Sequence, residues 1–444
     1  MTMVDEEKLN EHTAAEHIHG ICLKTGPPRR VGVELEWLVR DARNPGLPVP
    51  ADRIVAAVAP FDTAAFDTAA ELAAVPGLPT SSQPGALPSG ATLTTEPGGQ
   101  LEISSQPADS LADLVHASLA DLTALRSAAG SAGLHLAGFG LDPIRPPRRL
   151  LTLPRYAAME AFFDRGGPWG RRMMCGTASV QVCLDAGDES DGAAGYRRRW
   201  QLVHAIGPVL VAAFANSPLR LGRPTGWRSS RQQVWSHMDP SRTRPPQIGP
   251  DPREAWARYA LDAQVMCVRD EGSGDWSAPP GLTFRDWARG GATDAGRLRR
   301  PTVGDLDYHL STLFPPVRPH GHLELRMIDA QPRDGWIVPL AVTSALLDDA
   351  AASDAAMAAA ERLWAGQDRS GEDLWLRAAQ LGPSDPGVAR ASRECFEAAR
   401  EALSRQSAPA DVRSAVDDFI ERYVSRDRCP ADDQLAPAQS QEAR

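Results

Sequence analysis

Apolar and polar positions alternate most clearly in "VGVELEWLV", residues 31–39. As a strand it puts Val31, Val33, Leu35, Trp37 and Val39 on one side and Glu34 and Glu36 on the other. Three further stretches share the habit. In "GGQLEIS", Leu101 and Ile103 oppose Gln100, Glu102 and Ser104. In "ASVQVCLD", Ala178, Val180, Val182 and Leu184 oppose Ser179, Gln181, Cys183 and Asp185. In "HGHLELRMID", Leu323, Leu325 and Met327 oppose His322, Glu324 and Arg326. Each strand therefore offers packing helices an apolar face and keeps a polar one.

Helical spacing takes over elsewhere. The pattern predicts a short helix within 1–30, one over 51–60, and one over 109–130 capped by Asp109 or Ser110. "LVHAIGPVLVAAFA" (202–215) reads as a buried helix, too short to span a bilayer and broken by Gly207-Pro208, with His204 as a core histidine. Residues 252–266 and 302–314, the latter capped by Thr302, read as helices, as does the alanine-rich stretch 336–426. Between 40 and 92, "RNPGLPVP" and "PGLPTSSQPGALPSG" read as turns and loops. The polar end, 427–444, reads as a disordered tail, which leaves 1–426 as a single domain. Helices and strands do not alternate regularly and no Gly-rich strand-to-helix fingerprint occurs. The expected fold class is therefore α+β with a largely antiparallel sheet.

Charge narrows the chemistry. A net charge of −10 argues against a nucleic-acid surface or an anionic membrane as partner. The only lysines are Lys8 and Lys24, so there is no Gly-Lys-Ser/Thr phosphate loop and no lysine placed for Schiff-base work. The acidic N-terminus lacks a signal peptide's apolar core, and Cys22, Cys175, Cys183, Cys267, Cys395 and Cys429 show no metal-finger spacing. A reduced, cytoplasmic setting follows as the expectation.

The polar strand faces are unusual. A solvated face needs no purpose, but it ordinarily carries Thr, Lys, Arg and Ser, because glutamate is a poor strand former. Glu34, Glu36, Glu96, Glu102 and Glu324, on or beside these strands, instead fit a hard-cation site such as magnesium bridging nucleotide phosphates. In "TTEPGGQLE" a Pro-Gly-Gly turn sets Glu96 and Glu102 at the two ends of one unit. "RLGRPTGWRSSRQQVW" (220–235) interleaves four arginines with Trp227 and Trp235, a candidate grip for carboxylate or phosphate. Arg326, on the face of Glu324, is placed to steady phosphoryl charge. His320, His322 and Glu324 raise a rival, an iron or zinc site of an oxygenase or hydrolase. Against it, "PHGH" reads as a turn that swings His320 away.

Six segments, "VGVELEWLV", "TTEPGGQLEISS", "MMCGTASVQVCLD", "ANSPLRLGRPTGW", "RQQVW" and "TLFPPVRPHGHLELRMID", together resemble the glutamate–cysteine ligases. The plant-type branch and the bacterial enzyme that begins ergothioneine synthesis are the most similar. The resemblance implies a glutamine-synthetase-like fold, a curved antiparallel sheet forming a funnel with helices on its outer face and a helical C-terminal region. It implies ATP-dependent ligation of glutamate, through its γ-carboxylate, to cysteine, giving γ-glutamylcysteine, ADP and phosphate through γ-glutamyl phosphate. Magnesium, two or more ions, would be the cofactor, and glutamate, cysteine and ATP the partners of a monomer or homodimer.

Carried over by motif, Glu34, Glu36, Glu96, Glu102 and Glu324 are metal ligands. Arg326 is expected near the nucleotide phosphates, catalytic together with Glu324. Arg231, Trp235 and Gln181 are expected to bind substrate. Cys183 stands where the family carries asparagine, and the "PHGH" histidines are outside its pattern. A ligase joining glutamate to some other amine is the nearest alternative.

Overall fold

The computed structural model describes residues 9–61, 85–270, 272, 274–290, 298–365, 367 and 372–442. Lys8 and the part of the expected loop at 62–84 lie outside the described residues. The main sheet has seven strands: β1 (Val31–Asp41), β2 (Thr92–Thr95), β3 (Leu101–Ser104), β4 (Leu134–Ala137), β5 (Ser179–Leu184), β8 (Val317–Pro319) and β9 (Leu323–Asp329). Their order is β2-β3-β1-β5-β9-β8, with β4 on the far half of β1, and every pairing is antiparallel. A small hairpin, β6 (Leu219–Arg220) and β7 (Arg223–Pro224), stands apart. The protein is thus of mixed helix and antiparallel-sheet class.

The alternation fixes which side of the sheet is dry. Val33, Leu35, Trp37, Val180, Val182, Leu323 and Leu325 are all buried in one core with the helices Leu111–Ser131, Tyr196–Ala205, Gly207–Ala213 and Ile337–Asp348. A one-residue slip of any strand would send this set to the polar face, so burial itself enforces the register. At about 1.5–3 kcal/mol per fully buried large side chain, that enforcement is strong.

Several boundaries differ from the sequence expectation. The segment 202–215 is two helices, because Pro208 starts a new one and Gly207 packs on Trp375, where a Cβ would come within 1.9 Å of the ring. The helix expected over 252–266 stops at Asp262, where Ala263 turns extended and Val265 donates its N–H to Leu282. That expected over 302–314 is Val303–Leu310, capped by Thr302, after which the Ser311 and Thr312 hydroxyls turn back onto Tyr308 and His309 carbonyls. The expected disordered tail is corrected: Pro430–Glu442 is a helix. Its first turns are fastened to Asn216 and Ala215, through Gln434 Nε2 to Asn216 Oδ1 (2.6 Å) and Ala431 N–H to the Ala215 carbonyl (2.9 Å). Composition alone does not reveal such long-range anchors. Among the described residues, no helix is long and apolar enough to cross a membrane.

Candidate active site

The polar faces of β1, β2, β3, β5 and β9 line one cavity of about 450 Å³. Glu34, Glu36, Glu96, Glu102, Gln181, Arg231, Trp235 and Arg326 all contribute to its wall. Register explains the convergence. Glu36 lies directly across from Glu102, Glu34 across from Gln181, and Thr94 across from Glu102. Like charges set opposite each other destabilise a sheet, so this arrangement needs either positive charge nearby or a bound proton.

The carboxylates are held individually. Glu36 accepts bonds from the Ser179 N–H (2.9 Å), the Ser179 hydroxyl (3.0 Å) and Gln181 Nε2 (2.9 Å). Glu102 accepts from the Thr94 hydroxyl (2.9 Å). Glu96 opens the Pro97-Gly98-Gly99 turn, which closes through Gly99 N–H to the Glu96 carbonyl (2.8 Å). Both glycines are required there. Gly99 has φ +85°, and a Cβ on Gly98 would lie 2.5 Å from the Cys175 backbone.

Electrostatics separate the glutamates into two groups. Burial, reinforced by Glu324, pushes the Glu34 carboxyl up to about 8. Burial and the Glu36 charge push Glu96 up to about 7. Glu102 is raised well above the carboxylate range by burial and then by Glu34. Glu324 goes the other way. Burial opposes its charge, but the Arg318 and Arg326 guanidiniums hold it well below the usual range.

Glu324 is also placed differently. It is buried behind the lining, bonded by Arg318 Nε (2.5 Å), Arg318 Nη2 (3.0 Å) and Arg326 Nη1 (2.8 Å). Its two oxygens are therefore engaged by guanidiniums, where the sequence had suggested a metal. Arg326 reaches the cavity from this anchor and also donates to Gln181 Oε1. Gln181 thus joins Glu36 to Arg326.

Arg231 is only 2 % exposed. Its Nη2 donates to the Arg326 carbonyl (2.8 Å) and its guanidinium lies 4.5 Å from the centre of the Trp235 ring. Nε and Nη1 have no hydrogen-bond partner among the described residues. Buried unsatisfied guanidinium N–H groups are costly, and Arg231 lines the cavity, a combination that suits an anionic ligand. Trp235 spends its indole N–H on the Phe314 carbonyl (3.2 Å), which leaves its ring to brace Arg231.

Asp329, at the end of β9, sets in place the helix that carries Arg231 and Trp235 (Ser230–Ser236). It accepts from the Ser217 (2.7 Å) and Ser229 (2.9 Å) hydroxyls, while Ser217 accepts the Arg231 N–H (3.1 Å) and Ser229 caps the helix Ser230–Ser236.

Sequence reasoning missed Arg155 and Arg318, which also line the cavity. For Arg318 a signal existed: Pro319 and Leu323 pair around the "PHGH" turn, so Arg318 and Glu324 are cross-strand partners. Arg155, just inside the helix Pro154–Asp164, carried no such mark. The "PHGH" stretch is a turn, with His320 N–H donating to the His322 carbonyl and the two rings 6.0 Å apart, but it does not swing His320 away, since His320 lines the cavity. Among the described residues, no three His, Cys, Asp or Glu side chains stand close enough together to form a ready metal cage. The histidine rival also loses its carboxylate, because both Glu324 oxygens accept from Arg318 and Arg326. For Glu34, Glu36, Glu96 and Glu102 the lack of a ready cage reflects carboxylates spread around a wall, as mutual repulsion dictates unless cations lie between them. Their all-oxygen donor set, with the raised proton affinity of Glu34, Glu96 and Glu102, fits a hard cation such as magnesium.

Comparison with known proteins adds an independent line. The family Glutamate-cysteine ligase family 2 (GCS2) matches residues 30–444. "Glutamate--cysteine ligase EgtA" of Mycobacterium tuberculosis (strain ATCC 25618 / H37Rv) is 38% identical over 434 residues, 97% of this chain and 90% of that protein. The EgtA of Mycolicibacterium smegmatis is 38% identical over 437 residues, 97% of this chain and 92% of its own. A crystal structure of a glutamate–cysteine ligase (gshA) from Francisella tularensis in complex with AMP superposes with a TM-score of 0.51 at 11% identity, covering 94% of this chain and 86% of that one. At that identity the likeness speaks to fold.

Proposed function

The chain belongs to glutamate–cysteine ligase family 2, and on that premise we infer that it joins the γ-carboxyl group of glutamate to the amine of cysteine, with ATP cleaved to ADP and phosphate. The observation that carries the reading is a single cavity with four carboxylates on one wall and a buried, half-unsatisfied Arg231 on another. Identity of 38% to two proteins named EgtA supports the ergothioneine branch, and six free cysteines suit a cytoplasmic enzyme. The sheet's concave polar face acts as the funnel of a glutamine-synthetase-like fold.

The chemistry needs no protein nucleophile. A γ-carboxylate oxygen of glutamate attacks the γ-phosphorus of ATP and ADP leaves. The cysteine nitrogen then attacks the acyl carbon of γ-glutamyl phosphate and phosphate leaves. What the protein must supply is position and countercharge. Arg231, braced by Trp235, holds a carboxylate of glutamate. Arg326, steered by Glu324 and Gln181, faces the transferring phosphoryl group. Glu34, Glu36, Glu96 and Glu102 would hold two or more magnesium ions, whose chemistry there is charge neutralisation of the triphosphate.

Release of phosphate is expected to require glutamate, cysteine, ATP and magnesium together, measured by omitting each in turn. Equal release without cysteine would end the ligase reading.

A pH effect follows from the raised carboxyls. A buried acid whose pKa rises on folding stabilises the fold at low pH and loses that contribution as pH climbs from its unfolded value through its folded one. For Glu34 and Glu96 that window runs from 4.5 to about 8 and about 7. Magnesium competes with those protons, so the rise in melting temperature that it produces should be larger at pH 8 than at pH 5.5. A magnesium shift that is flat with pH would contradict the assignment of these carboxylates.

A further inference from the structure

On the other side of the helices Trp169–Gly176 and Ser230–Ser236 lies a separate cavity of about 540 Å³. Three arginines line it: Arg172, Arg220 and Arg223. The hairpin register puts Arg220 directly across from Arg223, and like charges in that relation repel. One backbone bond ties the hairpin tip to the body of the protein. Leu221 and Gly222 take φ +50° and +76°, and the Gly222 N–H donates to the Pro143 carbonyl at 2.7 Å. Arg172 approaches from the helix. Its guanidinium sits 4.3 Å from the centre of the Trp169 ring, and Trp169 stacks on His237 at 4.0 Å. Burial, and then the Arg220 charge, lower the proton affinity of Arg172.

The neighbouring Arg171 pairs with Glu160 and Asp164, and Arg228 with Asp432. Among the described residues, no carboxylate forms an ion pair with Arg172, Arg220 or Arg223. Hydrogen-bonding groups complete the wall: the Thr225 and Ser230 hydroxyls, 2.7 Å apart, and the Gln233 amide.

We propose that this cavity is a second anion site, distinct from the reaction cavity, which takes a phosphate group presented either as free phosphate or as a phosphate ester. Three guanidiniums lining one cavity carry more charge than one carboxylate neutralises, and guanidinium forks match phosphate oxygens bidentately. The Gln233 side-chain amide, on the same wall, supplies a further donor. The site shares a helix with the reaction cavity: Ser230, Gln233 and Val234 face this side, Arg231 and Trp235 the other.

Calorimetric titration of the full chain at low ionic strength, with inorganic phosphate and with ribose 5-phosphate as probes, tests the proposal. Saturable one-to-one binding of at least one probe is expected, and the tighter of the two identifies the source. Arg220→Ala and Arg223→Ala should each weaken it about tenfold or more, since each removes a charge-assisted hydrogen-bond donor. Both positions are exposed, so the double variant should fold and keep its ligase turnover in phosphate-free buffer. Arg231→Ala should leave the binding unchanged. Absence of saturable binding, undiminished binding in the double variant, or loss in Arg231→Ala would each overturn the proposal. The measurement needs no turnover, so it stands or falls apart from the ligase assignment.

Discussion

Glu36→Gln should reduce the turnover number on the order of 10²–10³-fold, the usual loss when one preorganised electrostatic group is removed from a reaction centre. The carboxylate faces Glu102 across the sheet and holds three donors, so it is fixed before any substrate arrives. Glutamine keeps the shape and removes the charge. Its amide nitrogen must then face a donor where an oxygen stood, which costs about 1–3 kcal/mol of folding stability. The two effects are separable. Denaturant midpoints would show a modest shift, and steady-state phosphate release a much larger loss. A variant of full activity would remove Glu36 from the cation-binding set, and unaltered magnesium affinity would do the same.

Arg231→Ala is expected to act on glutamate rather than on ATP. Loss of a buried charge-assisted grip, worth roughly 3 kcal/mol or more, should raise the KM for glutamate about 10²-fold, with the KM for ATP little changed. Arg231→Lys should fail to restore it, because an ammonium cannot reproduce the planar fork or its stacking on Trp235. Stability should move little, since removal of two guanidinium nitrogens without partners offsets the lost bond to the Arg326 carbonyl and the lost packing on Trp235. An unchanged KM for glutamate in both variants would show that the substrate carboxylate is held elsewhere, with Arg155 the first alternative.

Much of the site was legible in the chain because strand geometry has a period of two. Once β1 is read as a strand, Glu34 and Glu36 must share a face, and the alternation in β3, β5 and β9 leads to the same kind of statement. The "PHGH" turn and the Pro-Gly-Gly turn were legible for a similar reason, because proline and glycine restrict or permit backbone angles locally. Helix ends were less so. The breaks at Asp262 and Leu310 depend on hydrogen bonds with Leu282, Tyr308 and His309 that local propensity does not announce.

The sequence by itself determined the antiparallel strands, the side of each that is dry, and the set of acidic and basic side chains that must be wet together. Tertiary structure alone decided which of them meet. Register put Glu36 against Glu102, and the β8–β9 hairpin brought Arg318 onto Glu324, withdrawing that carboxylate from the cavity wall. Asn216 and Gln434, far apart in the chain, turned a polar tail into a docked helix. The physical reason is one of range. Backbone angles and side-chain alternation are settled between neighbours, whereas charge pairing and burial depend on distances that exist only after the chain has closed on itself.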